Sequence, residues 1–187
     1  MPQARAETGL YRGGHVANRF LMGNRITQLV YLSLGSNLGD RAANLRAAIS
    51  KLSELGTVTK VSSFYETEPM EFREQPWFLN CVLEMKTELP AADFLAAIQA
   101  IESELGRNRA ISKGPRTLDI DILMFGSSVL ASGDLILPHP AMHTRRFVLQ
   151  PLAEIAPGLR HPALGKTVRE LLEVLGPDGE VRRLANR

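Results

Sequence analysis

Cysteine is almost missing from this 187-residue chain: Cys81 is the only one. No intramolecular disulfide can form and no zinc site can be built on paired thiolates, a usage that suits a reducing cytoplasm. No run approaches the roughly eighteen consecutive apolar residues of a membrane span, so no membrane partner is expected. Net charge is also scarce. The formal value is +2, but residues 1–27 hold four arginines against Glu7, which leaves the remainder at −1. A nucleic-acid binder spreads positive charge over a face and, on an open sheet, alternates aromatics along its strands; neither pattern occurs, so no nucleic-acid partner is expected. The chain also lacks a Gly-x-x-x-x-Gly-Lys-Ser/Thr phosphate loop.

What is present is a local concentration of opposite charges. In Gly114-Pro115-Arg116-Thr117-Leu118-Asp119-Ile120-Asp121-Ile122-Leu123 the period of two puts Asp119 and Asp121 on one face of a strand, with Leu118, Ile120 and Ile122 on the other. Two adjacent carboxylates repel, and a hard divalent cation taking oxygen ligands from both relieves the repulsion. Arg107, Arg109, Lys113 and Arg116 precede the pair with no acid between Leu105 and Leu118. Cations beside a carboxylate pair suit a magnesium-bound polyphosphate.

Residues 1–27 have no hydrophobic period and read as a disordered leader; an Arg-rich, acid-poor start suits a transit peptide, although serine is absent there, and a start at Met22 fits as well. Residues 28–187 read as one domain. Leu29–Leu34 predicts a buried strand turning at Gly35-Ser36-Asn37. A helix follows, with Asp40 as cap, Leu45, Ala48, Ile49, Leu52 and Leu55 as its stripe and Gly56 as its stop. Thr57–Tyr65 predicts a second strand, and residues 66–76 a loop. Phe78–Met85 predicts a third strand, with Leu79, Cys81, Leu83 and Met85 on one face and Phe78 and Asn80 on the other. Pro90 opens and Gly106 closes a second helix, on which Gln99 and Glu102 flank the apolar stripe and read as solvated surface. A strand over 118–125 and short runs at 129–131 and 135–137 follow. Pro138 and Pro140 hold His139 in a rigid loop edge. Arg145 and Arg146, on an extended segment, point opposite ways. Thr167 and Glu170 form a capping box for a last helix. The order strand, helix, strand, strand, helix, strand is the split βαβ pattern. It predicts an α+β antiparallel sheet with both helices on one face and the other face free for a site.

The decamer at 114–123 resembles the signature of the 6-hydroxymethyl-7,8-dihydropterin pyrophosphokinase family. The other segments of that family follow in order: Tyr31 to Asp40, Ser63 to Thr67, Gln75 to Asn80, Ile101 to Arg107, Leu137 to Pro140 and Arg146 to Leu152. The resemblance covers about residues 29–175 and implies a ferredoxin-like βαββαβ core with short strands and a helix after it. It implies transfer of diphosphate from ATP to hydroxymethyldihydropterin, with AMP released and two Mg²⁺ ions held by Asp119 and Asp121. Arg107 and Arg116 would clamp phosphates. Gln99, Glu102, Arg109, Ile122, His139 and Arg145 match ATP-site positions. Thr67, Glu68, Met70, Phe78, Asn80 and Phe147 match the pterin site, where the two phenylalanines would sandwich a flat ring and the Asn80 amide would pair with its edge. Lys113 and Pro140 stand where some family members carry aromatics. A monomer is expected.

Two other classes remain open on the residues alone. One is a different magnesium-dependent nucleotidyl or phosphoryl transferase using the same acid pair. The other is a ferredoxin-like binding module without turnover, against which the density of arginine and aspartate in one segment argues.

Overall fold

The computed structural model describes residues 26–69, 74–106, 114–176 and 179–184. The expectations for residues 1–25, Met70, Arg107, Arg109 and Lys113 lie outside them. A six-stranded antiparallel sheet organises the chain. Its path is β5 (Asp119–Phe125), β1 (Gln28–Ser36), β4 (Phe78–Thr87), β3 (Tyr65–Thr67) and β8 (Val181–Arg183), with β2 (Thr57–Val61) also on β4. Helices α1 (Arg41–Leu52) and α2 (Ala91–Glu104) fill the two crossovers, which gives the ferredoxin-like α+β arrangement. Strands β6 (Leu130–Ser132) and β7 (Leu135–Leu137) form a separate hairpin.

Local chemistry sets the helix ends. The Asp40 carboxylate accepts from the Ala43 N–H at 2.9 Å to start α1. Pro90 precedes α2, where a missing N–H costs nothing, and Gly106 beyond its end has φ +83°. The expected capping box of Thr167 and Glu170 starts α4 (Val168–Val174).

Alternation along the strands divides the sheet into two chemistries. Val30, Leu32 and Leu34 of β1, Leu79, Cys81, Leu83 and Met85 of β4, and Ile120 and Ile122 of β5 pack on Leu45, Ala48 and Leu52 of α1 and Phe94, Ile98 and Ile101 of α2. This is the main core, and the faces predicted for β4 and β5 are the ones observed.

The opposite face is not wholly free, as the strand order suggested. Tyr31, Val82 and Leu123 are covered by Val148, Leu149 and Leu152 of α3 (Arg146–Ile155) and by Val168 and Leu171 of α4. Helix α3 was unforeseen because it carries Pro151 within it, a residue that normally argues against a helix interior. The segment 57–65 is likewise not one strand. Strand β2 pairs with the far half of β4 and β3 with its near half, and at the break the Ser62 hydroxyl accepts from the Val82 N–H at 3.0 Å. Gly35 and Ser36, read as a turn, are the last residues of β1.

Among the described residues no helix is long and apolar enough to cross a membrane. Cys81 is 0% exposed, and burial pushes its thiol up to about 12. Its thiolate fraction at pH 8 is then on the order of one in ten thousand. A disulfide reagent should leave the folded protein unlabelled over hours and titrate one thiol in denaturant; stoichiometric labelling of the native chain would contradict this packing.

Candidate active site

Where α3 and α4 leave the sheet uncovered, a cavity of about 500 Å³ opens between the ends of β1, β4 and β5, the β3 end, and the loop before α3. Its floor is set by strand register. Gly35 of β1 lies opposite Asn80 on one side and Asp119 on the other, and Ser33 lies opposite Asp121. A Cβ on Gly35 would sit 2.7 Å from Asn80 Oδ1, closer than real side chains approach, so glycine keeps the floor open. This residue was missed as a site element. An isolated glycine ending an apolar strand was the signal for it.

One end of the cavity is electrostatic. Arg116 Nη1 donates to Asp119 Oδ2 at 2.8 Å, while Arg145 Nη1 and His139 Nε2 lie 3.8 and 3.9 Å from Asp121 Oδ2. Burial, and then the charge of Asp119, raise the Asp121 carboxyl from an ordinary 3.8 to about 6, with Arg145 opposing the shift. His139 is pushed down to about 4 by burial and by Arg145. Its Nδ1 accepts from the Ala141 N–H at 3.1 Å, so the neutral ring at pH 7 carries its proton on Nε2, facing Asp121. Of the two adjacent arginines only Arg145 lines the cavity, although the segment is not extended through both as expected. Arg145 stays extended and faces Asp121, whereas Arg146 begins α3 and donates to the carbonyls of Leu175 and Gly176.

The other end is flat-walled and amide-like. Asn80 Nδ2 donates to Thr67 Oγ1 at 2.6 Å, Phe78 and Phe147 both line the cavity, and Glu68 continues the wall from Thr67. An arginine overlies each ring, Arg116 on Phe78 at 5.8 Å and Arg145 on Phe147 at 5.7 Å, so the basic and aromatic halves share their boundary residues. Asn37 holds two rims together. Its amide donates to Gln75 Oε1 and the Pro76 carbonyl, and its Oδ1 accepts from the Arg116 N–H at 2.7 Å.

The cavity thus brings together Thr67, Glu68, Phe78, Asn80, Arg116, Asp119, Asp121, His139, Arg145 and Phe147. It does not include Gln99, Glu102 or Ile122. Ile122 packs in the main core, and Gln99 is half-buried on α2. Glu102 is not the solvated residue its position on the stripe's flank suggested. It is 2% exposed, with Oε1 accepting from the Ile120 N–H at 2.7 Å, so α2 is bound to the strand that carries the acids. Ser33, Pro69, Gln75, Ala141 and Thr144 complete the lining beside Gly35 and were not foreseen.

Among the described residues there is no group of three or more histidines, cysteines or acids that could hold a metal. A protein-only cage is therefore not the fitting picture, but two carboxylates on one strand face, one of them raised by burial and then by the charge of the other, fit Mg²⁺, which takes one or two carboxylates and completes its shell with water and phosphate oxygens.

Asp121 keeps its proton to about pH 6 when folded and to about 3.8 when unfolded. The folded state therefore binds more protons between those values, and stability falls as pH rises from about 4 through 6. Asp121→Asn should be more stable than the wild type at pH 8 by about 1 kcal/mol, a value discounted for screening because the side chain is 35% exposed. The advantage should vanish near pH 4. Urea titrations at the two pH values check this, and equal stabilities at pH 8 would overturn it.

Against this geometry stand the similarities to known proteins. The model of the family described as 7,8-dihydro-6-hydroxymethylpterin-pyrophosphokinase (HPPK) matches residues 31–157. A 2-amino-4-hydroxy-6-hydroxymethyldihydropteridine pyrophosphokinase of Bacillus subtilis (strain 168) is 48% identical over 132 residues, 70% of this chain and 79% of that one. The protein of the same name from Pseudomonas aeruginosa is 44% identical over 147 residues, 78% of this chain and 90% of that one. The folic acid synthesis protein fol1 of Pneumocystis carinii is 44% identical over 147 residues, but the chain spans only 20% of its length. A crystal structure of Plasmodium falciparum HPPK-DHPS A437G with STZ-DHP superposes with a TM-score of 0.67 at 17% identity, over 81% of this chain and 46% of that one, which shows a shared fold.

Proposed function

The chain belongs to the 7,8-dihydro-6-hydroxymethylpterin-pyrophosphokinase family, pyrophosphokinases of folate synthesis, and from that premise we propose that it moves diphosphate from ATP onto the hydroxymethyl oxygen of 6-hydroxymethyl-7,8-dihydropterin. The observation that carries this reading is the division of one cavity into an end with Arg116, Arg145, His139 and the acid pair and an end with Asn80, Thr67 and two phenylalanines. A polyphosphate fits the first end and a flat, amide-edged ring the second.

In the proposed reaction the hydroxymethyl oxygen attacks the β-phosphorus in line. A new O–P bond forms there, the bond from the β-phosphorus to its bridging oxygen toward the α-phosphate breaks, AMP leaves with that oxygen, and the hydroxyl proton passes to solvent water. Asp119 and Asp121 would hold Mg²⁺, two ions in our reading, which when bound would neutralise phosphate charge and ease loss of that proton. Catalysis is otherwise positioning and charge compensation by the chain itself. Arg116 and Arg145 give fixed positive charge on either side of the acids, and Arg116 is suited to follow charge as the β-phosphorus changes partner. His139, neutral at pH 7, offers Nε2–H as a donor to a phosphate oxygen without adding charge. Asn80 reads the ring edge: one N–H of its Nδ2 goes to Thr67, which fixes the amide and leaves the second N–H as donor and Oδ1 as acceptor. Phe78 and Phe147 would stack on the ring and, being apolar, keep water from the attacking oxygen.

The assay is AMP formation from ATP, Mg²⁺ and hydroxymethyldihydropterin. AMP should appear only when all three are present, and Asp119→Ala and Asp121→Ala should each lower kcat by about a thousandfold or more while remaining folded. A folded wild type that forms no AMP would reject the transfer, and release of ADP would assign a different phosphoryl transferase.

Gly35→Ala separates the two ends. The added methyl must displace Asn80, so KM for the dihydropterin should rise about tenfold, the size of one mispaired amide, with KM for ATP within about twofold. An unchanged pterin KM would remove Asn80 from the proposed role.

A further inference from the structure

Strand β8 lies beyond residues 31–157, the part matched by the family model, and yet it forms the outer support of the cavity wall. Strand β3 has three residues, too few to hold a position by pairing with β4 alone. Strand β8 pairs along its other edge, Tyr65 with Arg183, Glu66 with Arg182 and Thr67 with Val181. The pairing is extended at both ends, with the Glu68 N–H on the Glu180 carbonyl at 3.1 Å and the Leu184 N–H on the Phe64 carbonyl at 2.8 Å. By antiparallel alternation the Arg182 N–H then points into the β3 edge.

The side chains of β8 reach the same wall from two faces. Arg183 donates through Nε to Ser63 Oγ and through Nη2 to Glu154 Oε1, both at 2.9 Å. Glu154 of α3 also accepts from the Ser63 N–H, the Ser63 hydroxyl and the Tyr65 hydroxyl, so β3, β8 and α3 meet at one carboxylate. On the other face the Arg182 guanidinium lies 4.9 Å from the Trp77 ring centroid, next to Phe78. Of the cavity residues, Thr67 thus pairs with β8 directly and Phe78 is one step from the Arg182 contact at Trp77.

We infer that β8, through Arg182 and Arg183, is a positioning element that sets the affinity of the heterocycle end of the cavity and leaves the phosphate end untouched. This rests on the reading that a pterin occupies that end. Neither arginine touches the ligand. They act by holding Thr67 and Phe78 at the spacing a flat ring needs.

The test is equilibrium dialysis of 6-hydroxymethyl-7,8-dihydropterin, alone and with Mg²⁺ and a non-hydrolysable ATP analogue, against full-length wild type, Arg182→Pro and Arg183→Ala. Analogue binding and amide exchange at Glu66 to Glu68 are followed in parallel. Expected are a five- to twentyfold weaker pterin Kd in both variants, an analogue Kd within twofold of wild type, and faster exchange at those amides. Faster exchange with an unchanged pterin Kd would overturn the inference, as would equal weakening of both ligands, which marks general destabilisation. A wild type that binds the pterin but makes no AMP would sink the transfer reaction and leave the inference standing on its Kd values. A wild type that binds no pterin would overturn both.

Discussion

The site depends on the register of β1, which is paired on both edges. With β4 on one side and β5 on the other, every odd–even choice along β1 is made for three strands at once. Placing Val30, Leu32 and Leu34 in the helix-covered core leaves Ser33 and Gly35 on the opposite face, and that in turn brings Asn80 and Asp119 to either side of Gly35. A shift of one residue would bury Ser33 among leucines and turn apolar side chains into the cavity. The hydrophobic core therefore sets the spacing between the ring-reading amide and the phosphate-side acid, and no side chain stands between them because that position is glycine.

The acid pair shows why such a site is held together by its surroundings. Asp121 is raised because burial and Asp119 both oppose its charge, and the compensation comes from Arg145 and Arg116, which belong to different loops. Glu102 extends the same arrangement behind the strand, where its carboxylate takes the Ile120 N–H and ties α2 to β5. The folded chain tolerates this density of charge because each carboxylate lies beside a fixed donor or a cation; a divalent ion and a polyphosphate would complete the balance.

Much of the fold was legible in the chain. The alternation of Leu79, Cys81, Leu83 and Met85, the Asp40 and Thr167 caps and the helix limits at Pro90 and Gly106 all depend on neighbours within a few residues, and each was found where expected. The resemblance to a known family carried the pterin-site expectation for Asn80, Phe78 and Phe147; strand alternation by itself put Asn80 on the face away from the core, and the two phenylalanines alone read as ordinary core. The misreadings share a cause. Helix α3 was hidden by Pro151 and forms because Val148, Leu149 and Leu152 bury against the sheet, a tertiary gain larger than the local penalty. The 57–65 segment is rich in strand formers except at Ser62-Ser63, where the chain breaks between β2 and β3, and how the two strands then share one edge of β4 is set by pairing.

Local chemistry in the chain thus settled which residues face together: period two puts Asp119 and Asp121 on one side of their strand whatever surrounds them. Which distant groups meet that pair was left to long-range packing. His139 and Arg145 reach Asp121 from a loop some twenty residues further on, Gly35 reaches both halves through pairing partners far apart in sequence, and Glu102 is buried because α2 lies against β5. None of these follows from periodicity, because each is set by the mutual burial of elements that only the closed sheet brings into contact.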